Sequence, residues 1–232
     1  ICVVRGSQMG IFLAARVLAK SQLQRQVIVV EQWSYPPAVE TFLSNHFQII
    51  HVRLDQHGLD TDHLVKILEN HAVAAVYTTP HHQYPTTVSM SMDRRLKLLE
   101  LSKTFDFYII EDDYDYDFQF EGLAMLPMAS GDANGVVIYL GKLGQSLFPS
   151  FQTGFVVAPE NLISEAKNYL QMLDRQGDLT QEQMLSELIY EGEIHRLLKK
   201  NVLVYKQRRD FLYQCLEENF KNAVHFKNEA RL

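Results

Sequence analysis

Five acidic residues fall within the stretch Glu111-Asp112-Asp113-Tyr114-Asp115-Tyr116-Asp117, immediately after the apolar run Phe107-Tyr108-Ile109-Ile110. A strand that runs into such a stretch delivers carboxylates to its carboxyl end, which is where ligands bind in an open α/β sheet. One carboxylate there can keep a ring nitrogen protonated through a charge-assisted hydrogen bond. A divalent cation is the rival occupant, because hard cations take oxygen ligands. Solvated loop acids are the third reading, and the closeness of five acids at a strand end weighs against it.

Three further clusters sit at comparable positions. Gly6-Ser7-Gln8 opens a helical stretch, and the free N–H groups of a helix start suit a phosphate. The same residues also make an ordinary serine cap after a glycine turn, which is the commoner use. Glu31-Gln32-Trp33-Ser34-Tyr35-Pro36 follows an apolar run and offers an aromatic that could stack on a planar ring; packing on its own domain is the bland alternative. Thr79-Pro80-His81-His82-Gln83-Tyr84-Pro85-Thr86-Thr87 follows another. Its adjacent histidines suggest a metal, but neighbouring side chains diverge and no third ligand stands at a recognisable spacing. A polar loop at the edge of a cleft is the better reading.

The elements that must position these residues alternate along the chain. Short runs rich in Val, Ile and Tyr at 27–30, 48–52, 73–78, 107–110, 136–140 and 155–158 predict strands covered on both faces. Helical patterns at 8–20, 36–45, 61–69 and 92–104 separate them, the last with Leu96, Leu98, Leu99 and Leu101 on an apolar face. Such alternation predicts a largely parallel sheet with right-handed crossovers. After Pro159 only helices are expected, at 161–173, 180–190 and 194–219, punctuated by Gly177-Asp178 and Glu191-Gly192. Leu197, Leu198, Val202, Tyr205, Phe211, Leu212 and Leu216 are the expected contacts of the last helix. Residues 223–226 read as an extended piece that opens a second, truncated domain.

Composition narrows the function classes. The 232 residues are 47% hydrophobic, enough apolar material for one sizeable core. A net charge of −6, with no basic stripe, makes this segment a poor surface for a nucleic-acid backbone. Cys2 and Cys215 lie at opposite ends of the sequence, so neither a disulfide framework nor a zinc site is indicated, and a reducing cytoplasm is expected. No apolar run is long enough to span a bilayer. Ile1-Cys2-Val3-Val4 has no charged leader and reads as chain already inside a fold; without an initiating methionine, a fragment is expected.

In order and wording, these segments resemble the MocR-type transcriptional regulators of the GntR family. Those proteins join a winged-helix DNA-binding domain to a fold-type-I aminotransferase-like domain for pyridoxal 5′-phosphate (PLP). Their pattern runs RGSQ, E-x-P-G-Y-P, TPxHQYPTT, IIEDDYD and G-S-F-S-K-S-L-F-P-G-L-R. The chain has Arg5-Gly6-Ser7-Gln8, then the segments at 31–36, 79–87, 109–115 and 141–152, with Leu173-Asp174-Arg175-Gln176-Gly177-Asp178 and Glu191-Gly192-Glu193 also in the family style. The resemblance runs nearly end to end, and the pairing of HHQYPTT with IIEDDYD is its most specific part. It implies an α/β fold, the large domain of a fold-type-I aminotransferase over residues 1–192. Its mostly parallel sheet would have flanking helices. A long connecting helix and the start of a truncated small domain would occupy 193–232. It further implies that Ser7 and Gln8 meet the cofactor phosphate, Tyr35 stacks on the pyridine ring, Asp112 pairs with the ring nitrogen and Tyr114 with the ring hydroxyl.

One segment departs. Gly141 and Ser146-Leu147-Phe148-Pro149 match, but Lys142-Leu143-Gly144-Gln145 stands in place of S-F-S-K. Gln145 therefore occupies the position of the lysine that bonds the cofactor, and an amide cannot form an imine with an aldehyde. Lys142 and Gly144 replace two phosphate-binding serines, and Gln152 replaces an arginine, which removes a bidentate phosphate contact. Trp33-Ser34 replaces P-G and adds bulk beside the ring. Lys142 restores one positive charge for an anion; solvent or anion contact is favoured over a relocated covalent role. The expected function is thus an effector-sensing and dimerisation domain of a bacterial regulator, with no catalytic residue and no metal. PLP, if held, is held non-covalently. The implied partners are a second copy of the chain, an amino acid or pyridoxal derivative as effector, and DNA through a separate winged-helix domain, with no membrane. A working PLP aminotransferase using Lys142 is the alternative, and a purely structural dimerisation module the third.

Overall fold

The computed structural model describes residues 1–118, 120, 125–143, 152–174 and 177–220. Gly144, Gln145 and residues 223–226, all singled out in the sequence, lie outside them. The described chain divides into two compact units.

The first unit is built on a seven-stranded sheet. In chain order its elements are β1 (Cys2–Arg5), α1 (Gly6–Ser21), β2 (Val27–Glu31), α2 (Pro36–Ser44), β3 (Gln48–Val52), the short β4 (Leu54–Asp55) and β5 (Gly58–Leu59), α3 (Thr61–Leu68), β6 (Val73–Thr78), α4 (Met92–Phe105), β7 (Tyr108–Asp113), β8 (Val137–Leu143), β9 (Thr153–Val157) and α5 (Glu160–Leu173). The strand order across the sheet is β1-β9-β8-β7-β6-β2-β3, with β4 and β5 forming a separate small hairpin. Strands β3, β2, β6, β7 and β8 run parallel. β9 is antiparallel to both β8 and β1. The expected largely parallel sheet is present, with this antiparallel edge as an addition.

Burial on both faces explains the unbroken apolar runs. On one face Ile28, Val30, Ala75, Tyr77, Ile110, Ile138 and Leu140 pack with Ile11, Leu13, Ala14 and Leu18 of α1, Ala38 and Phe42 of α2, and Leu162, Ile163 and Ala166 of α5. On the other, Val27, Val29, Val76, Ile109, Val137 and Tyr139 pack with Leu64, Ile67 and Leu68 of α3 and Leu98 and Leu101 of α4. The leucine face expected of α4 is narrower than the sequence implies: Leu96 is 54% exposed while Arg95 is 2% exposed. Its guanidinium is buried because it donates to the carbonyls of Met90 (3.0 Å), Pro80 (2.7 Å) and Leu126 (3.3 Å). Asp60 caps α3 by accepting from the backbone N–H groups of Asp62 and His63.

The second unit contains Tyr116–Phe118, α6 (Leu179–Tyr190) and α7 (Glu193–Phe220). Asp178 caps α6 through the Gln181 N–H, and the Phe118 ring meets Tyr205 edge-on at 5.0 Å. The contacts expected of α7 are looser than the sequence suggests: no α7 residue is fully buried, and Phe211 and Leu212 are 68% and 56% exposed. Among the described residues no helix is long and apolar enough to cross a membrane.

A glycine contact sets the start of α1 against the sheet. Gly6 turns the chain from β1 directly into α1 at φ +74°, a conformation that favours glycine. Gly154 on β9 lies against it: a Cβ there would fall 2.9 Å from the Gly6 carbonyl carbon and 3.0 Å from the Gly141 carbonyl oxygen. Both obstacles are backbone and cannot swing away. Gly154→Ala is therefore expected to cost about 1–3 kcal/mol of overpacking. Gly131→Ala, where nothing lies within 4 Å of the added carbon, should stay within about 0.5 kcal/mol of the parent. Urea unfolding of the two variants measures the difference.

Candidate functional site

The acids of β7 are not loop residues. The strand continues through Asp113, beyond the 107–110 expected from the sequence, and Glu111, Asp112 and Asp113 are all buried. Side chains alternate across a strand, so the three divide between the two sheet faces. Asp112 shares the face of Ile110 and Tyr77, the one covered by α1 and α2. Glu111 and Asp113 take the other.

On that other face the carboxylates are tied into the fold. Glu111 accepts from the N–H groups of Met128 (2.8 Å) and Ala129 (2.9 Å), at the start of a 3₁₀ turn. Asp113 accepts from the Tyr139 hydroxyl at 3.0 Å, and its Oδ2 lies 3.2 Å from His81 Nδ1. Buried Arg95 supplies positive charge to Glu111 and Asp113. His82 goes elsewhere, with Nδ1 2.8 Å from Asp115 Oδ2. The adjacent histidines thus diverge to different acids. Among the described residues no group of three or more His, Cys, Asp or Glu is arranged to hold a metal.

Asp112 is different. Its Oδ2 accepts from the Tyr77 hydroxyl at 2.7 Å, while Oδ1, also buried, finds no hydrogen-bond partner among the described residues. Burial pushes its pKa up to about 6; the Tyr77 bond pulls downward, the Asp113 charge adds to the rise and the Lys142 charge opposes it. Lys142 is on β8 two residues beyond Leu140, which faces α1. It therefore emerges on the Asp112 side of the sheet. Burial lowers the Lys142 pKa and the Asp112 charge counteracts that. Lys142 is also directly opposite Gly154, which meets Gly6 at the start of α1. Arg5, at the N-cap of that helix, makes no side-chain capping hydrogen bond, and uncapped first-turn N–H groups suit an anion.

The aromatic residues close round the same place. Tyr35 and Tyr84 meet edge-on at 5.4 Å, and Tyr84 and Tyr114 at 6.4 Å. Burial raises the Tyr35 phenol, and the Asp112 charge adds to the effect. Burial raises Tyr114 as well, followed by the charges of Asp115 and Asp112. Trp33 is 59% exposed at the rim. Ser7 is half-buried on the first turn of α1; Gln8 follows it, with its side-chain amide donating to Thr41 Oγ1 at 2.9 Å and to the Pro37 carbonyl at 3.4 Å. The geometry thus gathers Tyr35, Asp112, Tyr114 and Lys142, and directs the Gln8 side chain to α2.

The loop expected to be a polar cleft edge is more buried than that. Thr79, His81 and Gln83 are 2%, 4% and 1% exposed. Glu31, at the end of β2, accepts from Thr78 Oγ1 (2.7 Å) and Gln83 Nε2 (3.2 Å), and Gln83 Nε2 also donates to the carbonyls of Trp33 and Tyr84. This hub joins the segment carrying Tyr35 to the one carrying Tyr84. Burial pushes Glu31 up to about 7 against the pull of these bonds. The hub, Arg95 and Tyr77 were not assigned roles from the sequence. A tyrosine inside a strand buried on both faces was the one available sign, since its hydroxyl must be partnered.

A flat ring with a protonated nitrogen at one end and an anion at the other would meet Asp112 Oδ1, the tyrosines, Lys142 and the start of α1 in turn. The fold carries the same message. The structure superposes on the multiple-substrate aminotransferase of Thermococcus profundus with a TM-score of 0.85, at 32% sequence identity over 93% of this chain and 54% of that one. The chain is a fold-type-I aminotransferase-like domain. No family model matches the sequence. The aromatic-amino-acid aminotransferase 1 of Thermococcus litoralis is 30% identical over 97% of this chain and 54% of its own length. The probable rhizopine catabolism regulatory protein MocR of Rhizobium meliloti is 27% identical over 90% of this chain and 41% of its own length. HTH-type transcriptional regulators of Bacillus subtilis are also among the relatives. The aminotransferase-like domain thus spans about half the length of the curated relatives it matches.

Two buried acids make its stability depend on pH. Glu31 and Asp112 titrate in the folded state at about 7 and about 6, above their ordinary range. Between the ordinary carboxylate range and pH 7 the folded state holds protons that the unfolded chain has released. This contribution to stability is complete at low pH and is lost as pH rises through 6 to 7. Denaturant unfolding from pH 4.5 to 8 is expected to show the loss. Glu31→Gln should flatten the profile between pH 5 and 7.5 by on the order of 1 kcal/mol or more, whatever its effect on absolute stability. An unchanged slope would assign the titration to other groups.

Proposed function

We propose that this aminotransferase-like domain is the effector-sensing part of a MocR-type bacterial transcriptional regulator, and that it holds PLP or a related pyridine phosphate without bonding it covalently. The observation that carries the reading is Asp112: a buried carboxylate with one oxygen held by Tyr77 and the other without a partner among the described residues. A protonated ring nitrogen is the donor that would complete it. Tyr35 would lie against the ring and Tyr114 beside its hydroxyl. Ser7, the first N–H groups of α1 and Lys142 would take the phosphate. Two strand spacings, about 10 Å, separate Gly154 on β9 from β7, room for a pyridine with a phosphate arm. When bound in a transaminase, PLP acts as an electron sink. Here Gln145 cannot supply the imine bond, and the retained groups bind and orient.

The regulator reading draws support from the relatives and from the sequence resemblance. It brings with it a winged-helix domain outside this chain for DNA, a homodimer, a cytoplasmic location, and an amino acid or pyridoxal derivative as effector. Residues 1–192 would form the large domain and 193–232 the link to a small one.

One observation favours a second reading, an active aminotransferase. Lys142 shares the Asp112 face and burial lowers its pKa, which makes an amine a better nucleophile. The two readings separate in one experiment. Incubation with PLP should raise the melting temperature, as any ligand selective for the folded state must. Borohydride treatment followed by peptide mapping should leave Lys142 unmodified. Lys142→Ala should weaken PLP binding by roughly 10- to 100-fold, the worth of one charge-assisted hydrogen bond, and Asp112→Asn by at least as much. A reduced adduct on Lys142 would establish the enzyme reading instead. No thermal shift with PLP or pyridoxamine 5′-phosphate would leave a structural dimerisation module.

The altered phosphate end carries its own expectation. Gln145→Lys alone should not give tight PLP binding, because Lys142, Gly144 and Gln152 still depart from the family pattern. Calorimetric titration of that variant measures it, and affinity far above the parent's would show that the phosphate end is sufficient as it stands.

A further inference from the structure

We propose that Tyr77 is a positioning residue for the ligand, fixing the Asp112 carboxylate so that Oδ1 stays charged and open for a cationic ring N–H. The inference rests on the function proposed above and assigns a role to a residue outside the ligand's reach. Tyr77 is on β6, in the middle of the sheet, and is fully buried. Its ring packs edge-on against Phe42 at 5.5 Å, which fixes the hydroxyl. That hydroxyl donates to Asp112 Oδ2 at 2.7 Å, and among the described residues it is the one hydrogen bond made to this side chain.

The other carboxylates of β7 show what a fully satisfied acid looks like here: both oxygens of Glu111 accept from backbone N–H groups. Asp112 has one bond where Glu111 has two, so one oxygen is used for orientation and one is left for binding. The groups that act electrostatically on Asp112 include Tyr77 on β6, Asp113 on its own strand, Asp115 just beyond it and Lys142 on β8, and the Asp112 charge also acts on Tyr35 at the start of α2 and on Tyr114. Tyr77 in turn feels Asp112, Glu31 and Tyr35. Of the groups around Asp112, Tyr77 and Lys142 favour the charged carboxylate, and Tyr77 does so through a direct bond. Loss of the hydroxyl leaves a buried carboxylate held at neither oxygen, which takes up a proton at higher pH. A neutral acid cannot serve as counter-ion to a pyridinium.

Tyr77→Phe keeps the ring packing and removes the bond. Carboxyl-carbon NMR titration of the ligand-free domain should show Asp112 titrating at higher pH in this variant than in the parent. PLP affinity, measured by calorimetry and compared with the parent at the same pH, should fall about threefold at pH 6.5 for a rise of one pKa unit from about 6, and recover most of that by pH 8.5. A purely structural role predicts equal weakening at both pH values, and that result, or an unmoved Asp112 titration, overturns the proposal. Should Tyr77→Phe not fold, 3-fluorotyrosine in place of Tyr77 gives a stronger donor in nearly the same volume; Asp112 must then titrate lower, and no change counts against the role. If the parent domain binds no PLP at either pH, the proposed function fails, whereas the NMR titration still decides whether Tyr77 controls Asp112.

Discussion

A carboxylate buried in a sheet must either be supplied with hydrogen bonds or give up its charge, because desolvation of an unpaired ion costs far more than an ordinary contact returns. β7 places three such groups in succession, and the architecture around its carboxyl end follows from how each is handled. Glu111 is given the N–H groups of a 3₁₀ turn. Asp113 is given Tyr139 and the neighbourhood of His81, and Arg95 is buried beneath the pair as counter-charge, anchored by backbone carbonyls. That arrangement holds the histidine loop against the sheet. Once held, the loop presents Gln83 to Glu31 and Tyr84 to Tyr35. The opposite face of the same strand is thereby free to carry a single acid, Asp112, toward the space beside α1.

Much of this was legible in the sequence because the relevant signals are local. Runs such as Val73–Thr78 are too short for helices and too continuous for half-exposed strands, so they mark a sheet covered on both faces. The acid run marked the carboxyl end of its strand. What stayed hidden depends on pairing between distant residues. Cys2–Arg5 became a strand only by running antiparallel to β9, more than 140 residues away. The sequence also placed Leu96 on the apolar face of α4, whereas the buried position there belongs to Arg95, whose partners come from three separate segments. For α7 the apolar residues were visible, but their spacing does not say whether anything in the chain covers them. Asp112, Tyr35 and Tyr114 were named from resemblance; only the alternation of β7 explains why Asp112, and neither of its acidic neighbours, is on the face covered by α1 and α2.

The two ends of the candidate site are built from different material. Its ring end consists of buried strand residues, Tyr77 and Asp112, flanked by tyrosines that the Glu31–Gln83 hub fixes in place. A change there disturbs packing and hydrogen bonds together. Its proposed anion end is made by Lys142 near the end of β8 and the first turn of α1. Segments beyond the ends of strands accept substitution with less damage to the fold. Of the described residues, Lys142 and Gln152 depart from the family pattern at this second end, while Gly144 and Gln145 lie outside the described residues. On the proposed reading, the fold would permit covalent chemistry to be lost while the ring-binding half stands.

Permission is not a reason, and Asp112 supplies one. The residue is costly to the fold: burial drives its pKa upward, and its Oδ1 has no hydrogen-bond partner among the described residues, where an unsatisfied buried oxygen costs about 1–3 kcal/mol. Ile110, two residues earlier on the same face, shows that an apolar side chain is accommodated on this side of β7. A relic maintained for dimerisation alone would gain stability by making that exchange at Asp112 together with Tyr77→Phe. On the proposed reading, the acid is worth keeping for a donor that arrives from outside, and the charge of Lys142 on the same face, opposite Gly154 and so beside the start of α1, would mark where the other end of that molecule rests. On that reading the residue type at position 145 bears on whether such a molecule would be bonded, and Asp112 with Tyr77 is what argues for binding one.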